Sequence, residues 1–237
     1  MSRYRWFHCE WPIPVNDVAT LLMANSFNHD IGSGFKIDKT RLNHISGRYL
    51  VRHDIEEDAN DPITGTVTTT QRTVYEVVNF NLNSVKPAIE VIDPPRSLSR
   101  FISALSDAIQ TNITIVNVDI DLTNFIELLF KQLNKAKITM VDCSNIVINF
   151  NTSAKLTING ADDVRQSLNE LLVLRKHTID KARITFMNNA GTQSWFDITS
   201  KGTAKIADSD AENLLPMLKE YIAALSNQVT HNYKSAT

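Results

Sequence analysis

The stretch of chain from Gly47 to Leu82 constrains the fold more than any other part of the sequence. Hydrophobic and polar residues alternate over residues 49–55, and a run rich in β-branched residues follows over residues 66–82. Successive side chains of a strand point to opposite faces, so the alternation predicts a strand with one exposed face. The acidic residues at 56–62 are predicted to break that strand, and the β-branched run to pair back on it as a hairpin. The sequence therefore predicts an antiparallel sheet.

Shorter elements surround this hairpin in the N-terminal half. Residues 4–11 alternate and are rich in aromatic residues, which predicts a strand, and apolar residues at helical spacing over 15–22 predict a helix. Residues 25–46 show little periodicity and predict a long loop. A third short strand is predicted at 88–92, followed by a helix that starts at Asp93-Pro94-Pro95 and carries an apolar stripe over 98–109.

The C-terminal half contains an apparent internal repeat. Residues 135–142 match residues 181–188, since each begins with Lys-Ala and continues into a similar apolar strand. Further strand-like segments and an amphipathic helix follow each match, over 145–172 and over 194–225. Both copies are interpreted as strand, strand, strand, helix, and chance similarity between two amphipathic segments is the alternative.

These patterns predict an α+β fold. Antiparallel meander strands form sets, and a covering helix follows each set, which gives repeated βββα units. A βα element is inserted after the first unit, with a strand over 113–118 and a helix over 125–133 that Asp121 or Thr123 caps. We predict an N-terminal half at 1–134, a C-terminal tandem half at 135–237, and one sheet face left open to solvent or to a partner.

Composition and charge narrow the class of protein. The chain has 237 residues, of which 43% are hydrophobic, and this is enough to bury a core. Its 24 basic and 26 acidic side chains give a net charge of −2, so any binding to nucleic acid must be local. Cys9 and Cys143 cannot build a disulfide framework and are predicted to be buried free thiols. With no apolar run long enough for a signal peptide or a membrane span, the sequence predicts a cytoplasmic protein that does not bind a membrane.

No motif specific to a reaction occurs in the sequence. The nucleophile elbow, the zinc-protease helix, the paired-cysteine motif and the phosphate-binding loop are all absent. The acidic stretch offers Asp54, Glu56 and Glu57, with Glu76 on the next strand, as ligands for a divalent cation in a hydrolase. A restriction-type nuclease needs Glu-x-Lys on that second strand, but Val78 stands where the lysine would be. We predict no catalytic residue, no metal site and no cofactor.

Basic residues cluster once, over residues 175–205. Six cations against Asp180 and Asp197 give this stretch a local charge of +4, with Trp195 and Phe196 among them. Such a surface could stack bases and neutralise phosphates, and the alternative is a solvated helix end. The predicted binding residues are Arg175, Lys176, Lys181, Arg183 and Trp195, and Lys201 and Lys205 complete the cationic set.

A second positive pair is Arg96 and Arg100. They stand four residues apart near the start of the predicted helix, so we expect them to share one helix face and to bind a phosphate or a partner carboxylate. Ordinary surface arginines are the alternative.

The segment 193–199 indicates which side of the sheet is open. Trp195 and Asp197 fall on one side of this strand, and Phe196 and Ile198 on the other. Phe196 and Ile198 are predicted to meet the covering helix. This leaves Trp195 outward, where a large aromatic residue is typical of an interface anchor.

The sequence thus favours a non-enzymatic binding or accessory subunit that uses an open sheet face in an oligomer or larger complex. Its general character, an asparagine-rich α+β chain with no catalytic signature, resembles accessory subunits encoded in bacterial multi-gene systems, such as those that act against phages, and this implies a role in antiviral defence. A nucleic-acid-binding protein is the first alternative, and a metal-dependent hydrolase at the acidic hairpin is the second. The predicted partner is a protein or a second copy of the chain, with nucleic acid as the alternative and no membrane.

Overall fold

The computed structural model describes residues 1–173 and 175–234, with side chains as far as residue 225. Within these ranges the protein is mixed α+β, with eleven strands and five helices. It divides into two compact units. Unit 1 comprises Met1–Cys9, Val85–Glu90 and Ile115–Thr237, and unit 2 comprises Glu10–Ser84 and Val91–Thr114.

Unit 2 is built on three antiparallel strands in the order β2-β3-β4, with two helices. Its elements are α1 (Val15–Ala24), β2 (Ser33–Arg41), β3 (His44–Asn60), β4 (Val67–Asn83) and α2 (Ser99–Ile109), and β5 (Ile89–Ile92) lies where the chain passes from unit 1 to unit 2. Four buried rings, Phe35, Tyr49, Phe80 and Phe101, stand with centroids 5.0 to 6.1 Å apart. Burial of these aromatic side chains ties the three strands to α2.

The predicted hairpin is confirmed, but its acidic part does not end the first strand. β3 pairs with β4 in unbroken register from His44 opposite Asn83 to Asn60 opposite Val67. The reversal occurs only at residues 61–66, where the Asp61 carboxylate accepts a hydrogen bond from the backbone N–H of Ile63. Carboxylates are tolerated in this strand because its end is exposed on both faces.

The loop predicted over residues 25–46 is wrong in its second half, which forms β2. The exposed polar residues at 38–41 hide the alternation, although Phe35 is buried in the core. Gly34 makes the strand possible, because a Cβ at this position would lie 2.5 Å from the backbone of Phe27. Phe27 donates its backbone N–H to the carbonyl of Phe35. A strand that is positioned by contact between backbones, and not by buried side chains, produces little hydrophobic periodicity in the sequence.

Unit 1 contains a second antiparallel sheet segment, in the order β1-β11-β10-β9-β7-β8, with β6 beside β1. Its strands are β1 (Ser2–Cys9), β6 (Ile115–Asn117), β7 (Lys137–Asn149), β8 (Thr152–Asn159), β9 (Thr178–Met187), β10 (Gln193–Thr199) and β11 (Thr203–Ile206). Its helices are α3 (Leu122–Phe130), α4 (Arg165–Leu171) and α5 (Asp208–Lys234). The predicted helix cap is confirmed, since the Asp121 carboxylate accepts from the backbone N–H of Thr123.

The repeated βββα pattern is not confirmed. β9, β10, β11 and α5 follow the predicted order, but the two strands predicted at 137–142 and 145–150 are the single strand β7. Its pairing with β8 and β9 shifts register at several points. Such bulges bend a strand without ending it, so turn-like polar residues inside β7 imitate a loop in the sequence. The repeat and the boundary between residues 134 and 135 stay predictions.

One face of the unit 1 sheet is packed into a core. Phe196, Ile198, Ile184 and Ala182 are fully buried, and α3 packs on β9 and on α5. The register predicted for β10 is therefore confirmed. In the same core the buried carboxylate of Glu90 accepts a hydrogen bond from Trp6 Nε1 at 2.8 Å and pairs with Lys219 Nζ at 2.6 Å.

The two cysteines are buried and neither forms a disulfide, as predicted. Burial, with the nearby charges of Asp180 and Asp142, raises the pKa of Cys143 to about 11. Within the described part of the chain, none of the helices has both the length and the apolar character needed to cross a membrane.

Candidate binding face

Four neighbouring strands present polar side chains on the face opposite the packed core. Residues directly opposite each other in antiparallel pairs project to the same side of a sheet. One row of the register runs from Arg3 to Lys205, Asp197 and Arg183. The next row consists of Arg5, Thr203, Thr199 and Lys181. We call this surface the basic face, and it comprises Arg3, Arg5, Lys181, Arg183, Trp195, Asp197 and Lys205.

Asp197 is the centre of the basic face. Its side chain is only 8% exposed and accepts two hydrogen bonds from the Arg183 guanidinium, at 2.7 and 3.2 Å, and one ion pair from Lys181 Nζ at 2.9 Å. Burial alone raises the pKa of Asp197, but the hydrogen bonds and charges of Arg183 and Lys181 outweigh burial, so its pKa lies below the ordinary value. The carboxylate thus stays charged and holds both cations in fixed positions.

Trp195 lies half-buried beside these charges. The Arg183 guanidinium carbon stands 4.0 Å from its ring centroid, and Lys205 Nζ stands 5.9 Å from it. A cation this close to an indole ring is attracted by the ring's electrons, by about 0.5–2 kcal/mol depending on exposure. Trp195 therefore does not project into solvent without contacts. Its ring stacks on the guanidinium of Arg183, which lies between the ring and Asp197.

Arg5 extends the face along β1. It donates to the side-chain oxygen of Asn117 at 2.9 Å and stands over the ring of Phe7 at 5.0 Å. Its Nε is buried without an acceptor in the part of the chain that the structure describes. A buried donor without an acceptor costs about 1–3 kcal/mol, so the face holds Arg5 in place at some expense in stability.

The structure brings together only part of the predicted basic cluster. Lys181, Arg183, Lys205 and Trp195 meet on the basic face. Arg175 and Lys176 precede β9 in an exposed connection, and Lys176 lies roughly 16 Å along the chain from Lys181 at the rise of an extended strand. Lys201 lies in the turn after β10 and pairs with Asp119 at 3.3 Å. Spacing in sequence did not separate these positions from the ones on the face.

Arg96 and Arg100 do not share a helix face, contrary to the prediction. α2 begins at Ser99, so Arg96 lies before the helix and Arg100 in its first turn. The two prolines favour an extended chain here, and the Ser97 hydroxyl accepts from the backbone N–H of Ser99 instead of lying inside the helix. Both arginines are exposed.

The acidic hairpin offers its carboxylates to neighbours across the strands. Asp54 accepts from the hydroxyl of Thr73, and Glu56 from the side-chain amide of Gln71. Glu57 pairs with Arg72 at 2.9 Å. Within residues 1–173 and 175–234 no group of three or more His, Cys, Asp or Glu side chains is arranged to hold a metal ion. The geometry therefore gives the metal-dependent hydrolase no support.

Sequence reasoning missed Arg3 and Arg5 as members of the face. Their alternation with Tyr4 and Trp6 was visible in the sequence and places both arginines on one side of a strand. The missing information was the partner strand, because β1 pairs with β11 about two hundred residues away. No local pattern reports such a pairing.

Comparisons with known proteins identify no relative that assigns a function to this face. No protein-family model matches the chain, and a search of curated proteins finds no match. The residues and charges of the basic face are therefore the basis for inferring a function.

Proposed function

We propose that this protein is a non-enzymatic binding subunit that recognises an anionic surface of a protein partner through the basic face. The observation that carries the proposal is the composition of that face. Its four strands β1, β11, β10 and β9 carry five cations and one carboxylate on the side opposite the packed core.

The arrangement of charge supports a partner of opposite sign. Arg3 and Lys205 stand directly opposite each other on neighbouring strands, and both are exposed. A partner that brings carboxylates to these positions places opposite charges beside two neighbouring cations, so electrostatic complementarity favours its binding.

The fixed stack of Trp195, Arg183 and Asp197 supports recognition rather than mere attraction. Its guanidinium is already oriented by two hydrogen bonds and by the ring. Preorganised groups lose little conformational entropy on binding, which improves affinity and selectivity. An oligomer or larger complex in the cytoplasm is part of the proposal. Two buried cysteines, neither of which forms a disulfide, support a reducing compartment.

The test is Trp195→Ala, with Phe150→Ala as its matched control. Phe150 is a fully exposed aromatic residue in unit 1 and lies in the β7–β8 turn, outside the basic face. We measure binding of poly-L-glutamate, a model acidic surface, by calorimetry. Trp195→Ala is expected to weaken binding by about 2 kcal/mol, roughly thirtyfold, with little change in melting temperature, and Phe150→Ala to leave both unchanged. Equal binding by wild type and Trp195→Ala would contradict the proposal.

Single-stranded nucleic acid is the second candidate ligand for the same face. The favouring observation is the aromatic ring flanked by cations, the combination that stacks bases and neutralises phosphates. Binding of an oligothymidine should then weaken steeply with salt, with a log–log slope of roughly −2 to −3 if three or four phosphates are neutralised. Salt-independent binding, or none at low salt, would rule this candidate out.

A further inference from the structure

The hairpin of unit 2 ends in an arm that is exposed along its whole length. Every residue from Asp54 to Thr73 is exposed on both faces of the two strands. β2 accompanies β3 only as far as Val51, so beyond that point β3 and β4 pair with each other alone. A two-stranded hairpin in water is marginally stable, so a surface that packed against this arm would stabilise it.

The arm is strongly acidic. Residues 54–73 contain five carboxylates and one arginine, which leave a net charge of −4. Glu56 and Asp58 accept cross-strand hydrogen bonds from neutral side chains, and those contacts do not cancel their charge. Asp54 pairs with Arg52 at 3.1 Å, and Glu57 pairs with Arg72 at 2.9 Å. Charged residues on free edges discourage strands from pairing edge to edge, so two arms repel each other.

The basic face carries the complementary charge on the same chain. On these four strands five cations and one carboxylate leave a net charge of +4, opposite in sign to that of the arm, and the adjacent strand β7 places Asp142 opposite Lys181 at the border of the face. At the rise of a β-strand, residues 54–60 extend roughly 23 Å, whereas four strands at sheet spacing span roughly 14 Å. The arm is therefore long enough to cross the face. The exposed side chains of Ile55 and Val67 add apolar contact area.

We propose that the arm of one copy docks on the basic face of a second copy. This inference rests on the proposed function, because it assigns an occupant to the face described above. Each copy offers one arm and one face, so two copies can exchange arms about a two-fold axis, or each copy can pass its arm to the next in a head-to-tail contact. Such an interface builds a ring when the rotation closes and a filament when it does not.

The test uses two variants of the full chain and their mixture. The arm variant is Glu56→Lys with Asp58→Lys, and the face variant is Arg3→Gln with Lys205→Gln; all four residues are exposed. Wild type is expected to form species larger than a monomer at low salt by sedimentation velocity. Each variant alone is expected to lose association by about tenfold or more, because hot-spot charges at an interface are lost.

The mixture tests whether the contact joins an arm to a face. The arm variant retains an intact face and the face variant an intact arm, so together they form one intact contact. Equimolar mixing is expected to give a one-to-one complex that grows no further. A contact of arm with arm, or of face with face, would instead leave one of the two variants able to associate by itself, and this result would overturn the inference. Two matched controls, Glu127→Lys with Asp30→Lys and Lys131→Gln with Lys201→Gln, change the same charges at exposed positions elsewhere and should leave assembly unchanged.

The outcomes separate this inference from the proposed function. If wild type stays monomeric at low salt while poly-L-glutamate binds and Trp195→Ala weakens that binding, the arm is not the occupant and the function of the face stands. If oligothymidine binds the face and self-association is absent, the occupant is nucleic acid and the inference fails. If none of these ligands binds, the inference and the proposed function both fail.

Discussion

Two exposed β regions of this protein differ in what lies behind them. The basic face is one side of a sheet whose other side carries Phe196 and Ile198 into a core. The arm has no core, since its residues are exposed on both sides from Asp54 to Thr73. The charges of the face are consequently held in fixed positions, around a carboxylate that is 8% exposed. The arm pairs its charges only across two strands in water, which leaves them free to adapt to a surface.

The largest expected effect tests whether the core really supports the face. Phe196→Ala removes a fully buried ring beneath Asp197 and should lower the free energy of unfolding by about 3–5 kcal/mol. The matched change in the arm is Ile63→Ala, at a side chain that is 93% exposed, and should change it by less than about 0.5 kcal/mol. Urea denaturation measures both. Similar losses in the two variants would remove the distinction between the regions.

The next largest effect concerns the buried carboxylate of the face. Asp197→Asn keeps the shape of the side chain but leaves Arg183 and Lys181 without their counter-charge, so we expect a loss of about 2 kcal/mol at neutral pH. The pKa of Asp197 is lowered in the folded protein. The stabilisation that this carboxylate gives wild type is therefore fully present above the ordinary carboxyl pKa, and it is lost as the pH falls through the pKa of the folded state.

The arm provides the control for this prediction. Hydrogen bonds from Thr73 and Arg52 also lower the pKa of Asp54, but its side chain is 62% exposed, so solvent screens these contacts. Asp54→Asn should therefore alter the pH dependence of unfolding far less than Asp197→Asn, which should flatten it below neutral pH. Urea titrations at a series of pH values decide the matter. An unchanged pH profile in Asp197→Asn would show that the buried ion pair contributes no stability.

Sequence patterns predicted the elements whose periodicity is set by a core. The hairpin, the buried side of β10 and the cap of α3 all follow from local alternation or local hydrogen bonding. The sequence patterns failed where backbone contacts or bulges decide the structure, as at β2 and β7. β2 depends on Gly34 fitting against Phe27, and β7 continues through a polar stretch by shifting its register.

The basic face was predictable in part for the same reason. Lys181, Arg183 and Trp195 lie on consecutive strands, and alternation sufficed to place them on one side. Arg3 and Arg5 reach the face through the pairing of β1 with β11, and Arg175 and Lys176 are excluded from it by the place where β9 begins. Long-range pairing and exact strand ends are the two properties that a single sequence encodes least directly.

The smallest expected effect comes from removing the arm. Residues 58–69 can be replaced by an Asn-Gly pair, because Glu57 stands opposite Thr70 and a two-residue turn of this composition closes a hairpin in register. No buried residue is lost, and shortening a loop changes closure entropy by only about 0.6 kcal/mol per halving, so the stability of the fold should change by less than about 1 kcal/mol. Self-association should be lost while binding of poly-L-glutamate to the basic face persists.

The full-length variant Glu56→Lys with Asp58→Lys is the control for this deletion, since it alters the charge of the arm and keeps its length. A shortened chain that unfolds at much lower urea than this control would show that the arm supports the fold and is not a free docking element.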